Sequence, residues 1–185
     1  MKFVTALFLL APFAAHASCF EDAATRYGVD AALLKSIAWQ ESRGHTNAVG
    51  PRLPDGNIAL GEMQINTNHL DELKPYGIRR ADLFNGCTSV NLGAWVLAKC
   101  IKNVGRTWNA VGCYVAGAKS KNVAAKAAYV RAVKKHYQGY AHQNANALMN
   151  ATQERATKHA ERPARPLTVA SAASRPKMMV WGANE

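Results

Sequence analysis

A chain of 185 residues with a formal charge of +11 has room for one compact core and a tail, and its basic balance suits an anionic partner. Its composition argues against a metal site: no C-x-x-C or H-E-x-x-H spacing occurs and the six histidines are scattered. Nucleic acid is a poor partner for it, because no recognised binding motif accompanies the charge, and nothing in the residues asks for a cofactor.

The chain opens on Met1-Lys2, a short basic start. Phe3 to Ala15 is apolar apart from Thr5 and Pro12, and Ala15-His16-Ala17 is a small-x-small cleavage site. Residues 1–17 therefore read as a secretory signal peptide cleaved near Ala17-Ser18, which predicts a periplasmic or otherwise exported protein. An uncleaved N-terminal anchor is the alternative. The apolar run is short for a membrane span and no later segment approaches one, so no stable span is expected after cleavage.

Four cysteines follow: Cys19, Cys87, Cys100 and Cys113. An even number in an exported chain predicts two disulfides, with three pairings open. Cys100 and Cys113 lie on two helical stretches joined by a short turn, so that pair is sterically reasonable. Cys19 would then staple the N-terminus to Cys87.

Glu21 to Tyr27 reads as a short helix ending at Gly28. The next helix is the informative one. In Asp30-Ala-Ala-Leu-Leu-Lys-Ser-Ile-Ala-Trp-Gln-Glu41, Leu33, Leu34, Ile37 and Ala38 recur at helical spacing and Asp30 is placed to cap the start. At ~100° per residue, Glu41 falls ~80° from Leu33, inside the apolar arc. A carboxylate there turns toward the protein. Burial and the negative end of the helix dipole both favour its neutral form, which is what a general acid for glycosidic cleavage needs. A helix-end glutamate paired with Arg43 is the alternative.

From Gly44 to Gly61 glycines and prolines punctuate a loop or small irregular hairpin, with a short strand over Ile58–Ile65. His69 to Leu73 is a short helix stopped near Pro75. Ser89 to Asn103 is a strongly apolar helix ended by Gly105, and Trp108 to Val115 a second closed by Gly117. Val123 to Tyr137 is amphipathic, with Val123, Ala127, Val130 and Val133 tracking one face. Residues 18–140 thus form one helical domain with 16 basic against 9 acidic side chains. Residues 141–185, rich in Ala, Asn, Thr, Arg and Pro, read as a mostly disordered basic tail with a helical piece around residues 143–160. Its end (Met178, Met179, Val180, Trp181) is either a docking segment or plain solvated chain.

Three motifs stand in order behind the leader: Ala38-Trp-Gln-Glu41-Ser42, Gly61-Glu-Met-Gln64-Ile-Asn66 and Ala110-Val-Gly-Cys-Tyr114-Val-Ala116-Gly117. Together they resemble the lytic transglycosylases of goose-type-lysozyme-like fold, whose pattern is E-S, G-L-M-Q and A-Y-N-A-G. The resemblance is closest to the small exported members that accompany type III secretion, type IV secretion and conjugation systems. It covers about residues 18–140 and implies a mainly α, α+β lysozyme-like domain with a small irregular hairpin beside the active-site groove. It also implies Cys19–Cys87 and Cys100–Cys113 disulfides, and peptidoglycan strands as substrate.

Carried over residue by residue, Glu41 would be the single acid/base and Ser42 would support it or contact the glycan. Gln64 would line the sugar groove with Met63 packed beside it, and Tyr114 would orient the glutamate. Asn66 and Ala116 complete the implied substrate-binding set. Two positions depart from the pattern: Glu62 replaces an apolar residue, and Val115 replaces the asparagine. If the stretch is a strand, Leu60, Glu62 and Gln64 share a face, so Glu62 either faces the groove as a candidate second carboxylate or faces solvent at an edge. The resemblance implies cleavage between N-acetylmuramic acid and N-acetylglucosamine with 1,6-anhydro ends, opening the wall locally for a secretion or conjugation machine. A hydrolytic muramidase using Glu62, and a non-catalytic wall-binding assembly factor, are the alternatives.

Overall fold

The computed structural model describes residues 13–160. Residues 1–12 of the expected leader and 161–185 of the expected tail, with its Met178–Trp181 end, lie outside the described residues. Helices α1 (Phe13–Tyr27), α2 (Ala31–Ser42), α4 (Gly86–Val104), α5 (Trp108–Ala116) and α6 (Val123–Ala160) carry most of the structure. The short α3 (Leu70–Leu73) and strands β1 (Val49–Arg52), β2 (Ile58–Leu60) and β3 (Ile65–Asn66) lie between α2 and α4. The chain divides into two units, residues 1–147 and 148–185. All that follows concerns the first; in the second, the described residues 148–160 are helical. No helix among the described residues is long and apolar enough to cross a membrane.

The helices begin where side-chain acceptors meet unpaired backbone N–H groups. Asp30 Oδ1 accepts from Leu33 N at 3.0 Å, Asn85 Oδ1 from Thr88 N at 3.0 Å, and Thr107 Oγ1 from Asn109 N at 3.2 Å. Each of these caps stabilises its helix by about 1 kcal/mol. Helix α2 ends where Arg43 takes a left-handed conformation (φ 59) and returns its N–H to the Trp39 carbonyl.

Two boundaries differ from expectation. Helix α1 already runs from Phe13 rather than Glu21, and α6 does not stop at Tyr137. Gly139 costs a helix about 1 kcal/mol, and the alanine-rich stretch after it has no proline before Pro163.

The core is the apolar arc of α2 (Leu34, Ile37) against Val90 and Leu97 of α4, Val111 of α5 and Val133 of α6, all essentially without exposure. Disulfides Cys19–Cys87 and Cys100–Cys113 tie α1 to α4 and α4 to α5. Their loops of 68 and 13 residues correspond to roughly 4 and 3 kcal/mol of lost unfolded-chain entropy.

The expected strand over 58–65 is two strands. β2 pairs antiparallel with β1 and with β3, matching Leu60 to Val49 and to Ile65, with an irregularity in β1 between Val49 and Arg52. Residues 61–64 form the turn between β2 and β3. Gly61 is obligatory there: its φ is +76, and a Cβ would lie 1.9 Å from the Leu83 carbonyl oxygen.

Candidate active site

Helix α2 delivers Glu41 half-buried at its C-terminal turn, on the arc that carries Leu34 and Ile37. Removal of its carboxylate from water pushes its pKa from 4.5 to about 7. A hydrogen bond opposes that push: the Tyr129 hydroxyl, arriving from α6, donates to Glu41 Oε1. The phenol itself stays protonated, since burial and then the Glu41 charge both raise its pKa. Arg43, the sequence-level alternative partner, lays its guanidinium over Trp39 at 5.6 Å from the ring centroid.

Tyr129 escaped the sequence reading. It lies four residues before Val133, so both fall on the buried side of α6. A tyrosine on a buried face needs a partner for its hydroxyl, and that was the available signal.

The Gly61–Gln64 turn is held by three side chains from three helices. Ser42 Oγ donates to the Glu62 carbonyl at 2.7 Å. Ser89 Oγ of α4 accepts from Met63 N at 3.1 Å. Tyr114 of α5 donates to the Met63 carbonyl at 2.8 Å. These contacts revise several expected roles. Ser42 is buried and spends its hydroxyl on the turn, so it builds the site without facing a sugar. Tyr114 hydrogen-bonds the turn rather than Glu41. It still feels that carboxylate, whose charge adds to burial in raising the phenol's pKa. The oxygen that directly meets Glu41 is Tyr129's.

Met63 is fully buried, so it is a core residue and not a sugar contact. Its side chain fills the space a Cβ on Gly93 would take, with Met63 Cε only 2.4 Å away.

Gln64 takes a left-handed backbone (φ 47), and its amide folds back to donate to the Gly61 and Ala48 carbonyls at 2.9 and 3.3 Å. Its Oε1 occupies the space beside Gly50, where a Cβ would come within 2.8 Å. Gln64 thereby ties the turn to the β1 side of the hairpin and remains half-buried. Asn66 is engaged in a cap, accepting from Asn68 N at 2.9 Å. Ala116 is half-buried at the end of α5, next to Val115, which is 44 % exposed.

Glu62 answers to neither sequence-level expectation. It lies in the turn, so it shares no strand face with Gln64, and at 3 % exposure it neither faces solvent nor lines an open groove.

A half-buried acid with a pKa near neutrality can give a proton and take it back, and its tyrosine donor steadies the ionised form. Comparison with known proteins then gives the family. Residues 18–137 match the family model described as Transglycosylase SLT domain. Over 136 residues the chain is 35 % identical to the Invasion protein IagB of Salmonella typhimurium, covering 73 % of this chain and 84 % of that one. It is 33 % identical over 137 residues to Protein IpgF of Shigella flexneri, covering 74 % and 90 %. An X-ray structure of an inactive mutant of the lytic transglycosylase Slt from Pseudomonas aeruginosa shares the fold, with a TM-score of 0.57 and 22 % identity. That likeness covers 72 % of this chain and 25 % of the larger one. The acid-bearing helix, the pinned turn and a family match over most of the chain agree: this protein belongs to the transglycosylase SLT domain family.

Proposed function

We propose that the chain is an exported peptidoglycan lytic transglycosylase that uses Glu41 as its one acid/base. The observation that carries this reading is the Glu41 carboxyl, pushed to about 7 by burial and held by the Tyr129 hydroxyl. In its protonated form Glu41 gives its proton to the oxygen bridging N-acetylmuramic acid and N-acetylglucosamine. As a carboxylate it then takes the proton of the muramic 6-hydroxyl, which closes onto the anomeric carbon. The products are a free N-acetylglucosamine end and a 1,6-anhydromuramic end. The neighbouring N-acetyl group steadies the cationic centre between the two steps. Water is not consumed, because a hydroxyl held against the reacting carbon has a very high effective concentration.

Hydrolytic enzymes of this kind use two carboxylates. The burial of Glu62 at 3 % exposure supports the one-carboxylate reading over a muramidase. The likeness to a protein named for invasion supports a role in opening the wall locally for a secretion or conjugation apparatus. Purified wall digested with the protein should yield anhydromuramic ends by mass spectrometry, and the Glu41→Gln protein none. Reducing muramic ends would replace this reading with hydrolysis. Wall binding without release of fragments would replace it with a non-catalytic factor.

A further inference from the structure

Between Asp82 and Glu154 the chain holds no carboxylate side chain, yet it carries nine lysines and arginines. That stretch includes all of α4 and α5 and most of α6. Lys99 is neutralised by Glu72 of α3 at 2.7 Å, and Arg106 donates to the Gly28 carbonyl at 2.8 Å. The remaining cations include those at the α5–α6 junction, where a cavity of about 530 Å3 opens. It is lined by Val104, Trp108, Asn109, Val123, Lys126 and Arg131 among others, with no acidic residue. Its size suits a small ligand.

The walls are preformed. Tyr137 meets Trp108 edge-on at 5.7 Å between centroids, and the Lys134 ammonium sits 4.8 Å from the Trp108 ring centroid. Lys126 donates to the Ser120 carbonyl at 2.7 Å, which leaves two of its three donor protons for a ligand. The helices meet closely here: a Cβ on Gly112 would come within 3.1 Å of Lys126 Cβ.

Two cations over an apolar floor, with an amide side chain and no carboxylate among the described lining residues, call for a ligand with carboxylates, small methyl groups and peptide bonds. A neutral sugar gives the cations nothing to pair with. We propose that this cavity binds the carboxylate-bearing peptide stems of peptidoglycan, beside the glycan strand held at Glu41. The inference rests on the substrate class proposed above. Lys126 is three residues from Tyr129 on α6, roughly 4.5 Å along the helix axis, and an extended three-residue stem spans about 10 Å. Lys126 and the Glu41 partner Tyr129 thus stand one turn apart on one helix, and joint binding of a sugar and its stem would raise affinity without new contacts.

The test is an NMR titration of the labelled protein with the tripeptide L-alanyl-γ-D-glutamyl-meso-diaminopimelate, followed at the Trp108 indole N–H. Expected is a saturable shift that weakens with salt. Binding should fall about tenfold or more in the Lys126→Gln, Arg131→Gln double variant, as loss of charged hydrogen bonds implies, and equally for a tripeptide with amidated carboxylates. The Lys126→Arg, Arg131→Lys protein should retain it. Absence of a shift at millimolar peptide, equal binding of the amidated peptide, or a Trp108 response to anionic phospholipid vesicles in place of the peptide each overturns the proposal. The Glu41→Gln protein should bind the tripeptide as the wild type does. Peptide binding without wall cleavage would therefore count against the catalytic reading alone, and wall cleavage without peptide binding against this inference alone.

Discussion

The Tyr129 hydroxyl and the Glu41 carboxylate, 88 positions apart in the chain, meet in a hydrogen bond that joins α6 to the end of α2. The bond acts against burial. Desolvation raises the pKa of Glu41 and Tyr129 opposes it, which leaves the carboxyl at about 7.

Replacing Tyr129 with Phe removes only that bond. The Glu41 pKa should move up, and the alkaline limb of the rate–pH profile, where the general acid loses its proton, should move to higher pH with it. Activity at neutral pH should fall roughly tenfold to a hundredfold, as expected for a charged hydrogen bond. Turbidimetric wall-lysis assays across pH read both effects. An unshifted profile would assign Tyr129 to packing alone.

Tyr114→Phe should behave differently. It removes the donor to the Met63 carbonyl and should cost about 1–2 kcal/mol of stability, measured by urea unfolding. Its pH profile should move less than that of Tyr129→Phe, because Tyr114 reaches Glu41 only through space.

Glu41 also makes stability depend on pH. Its folded pKa of about 7 lies above its ordinary value of 4.5, so between those values the folded state binds more protons than the unfolded one. The contribution is fully present below pH 4.5 and is lost as pH rises through 7. Glu41→Gln removes the dependence. Relative to the wild type, the variant should be more stable above pH 7 than below pH 4.5, by up to about 3 kcal/mol. Thermal unfolding of both proteins at pH 4 and pH 8 measures it.

Gly61→Ala should be among the most damaging single changes. The new Cβ would lie 1.9 Å from the Leu83 carbonyl at a φ of +76, which costs several kcal/mol, roughly 2–4. Because the turn also receives Ser42, Ser89 and Tyr114, lysis should be lost along with stability. Ser42→Ala should cost less, about 1–2 kcal/mol. A Gly61→Ala protein that unfolds like the wild type in urea would contradict the close approach.

Helix α2 was legible in the residues because its signals are local. Asp30 caps three residues ahead of itself and the 3.6-residue period places Glu41 on the buried arc, with no need of any other part of the chain. The order and spacing of the three motifs likewise identified the family. The helical domain and the Glu41 position follow from such short-range patterns.

The roles within the motifs were not legible in that way. Met63 sits between two motif residues, yet Gly93 of α4 opens the space that draws it into the core. Glu62 reads as a strand residue until Gly61 and Gln64, both at positive φ, close the turn that buries it. Tyr129 reads as one more large residue on an amphipathic helix. Only the packing of α6 on α2 sets its hydroxyl against the acid. Periodicity determined which helix faces are buried, and motif order which family the chain joins. Which buried polar groups meet depends on long-range packing of separate elements, and spacing along the chain holds no record of it.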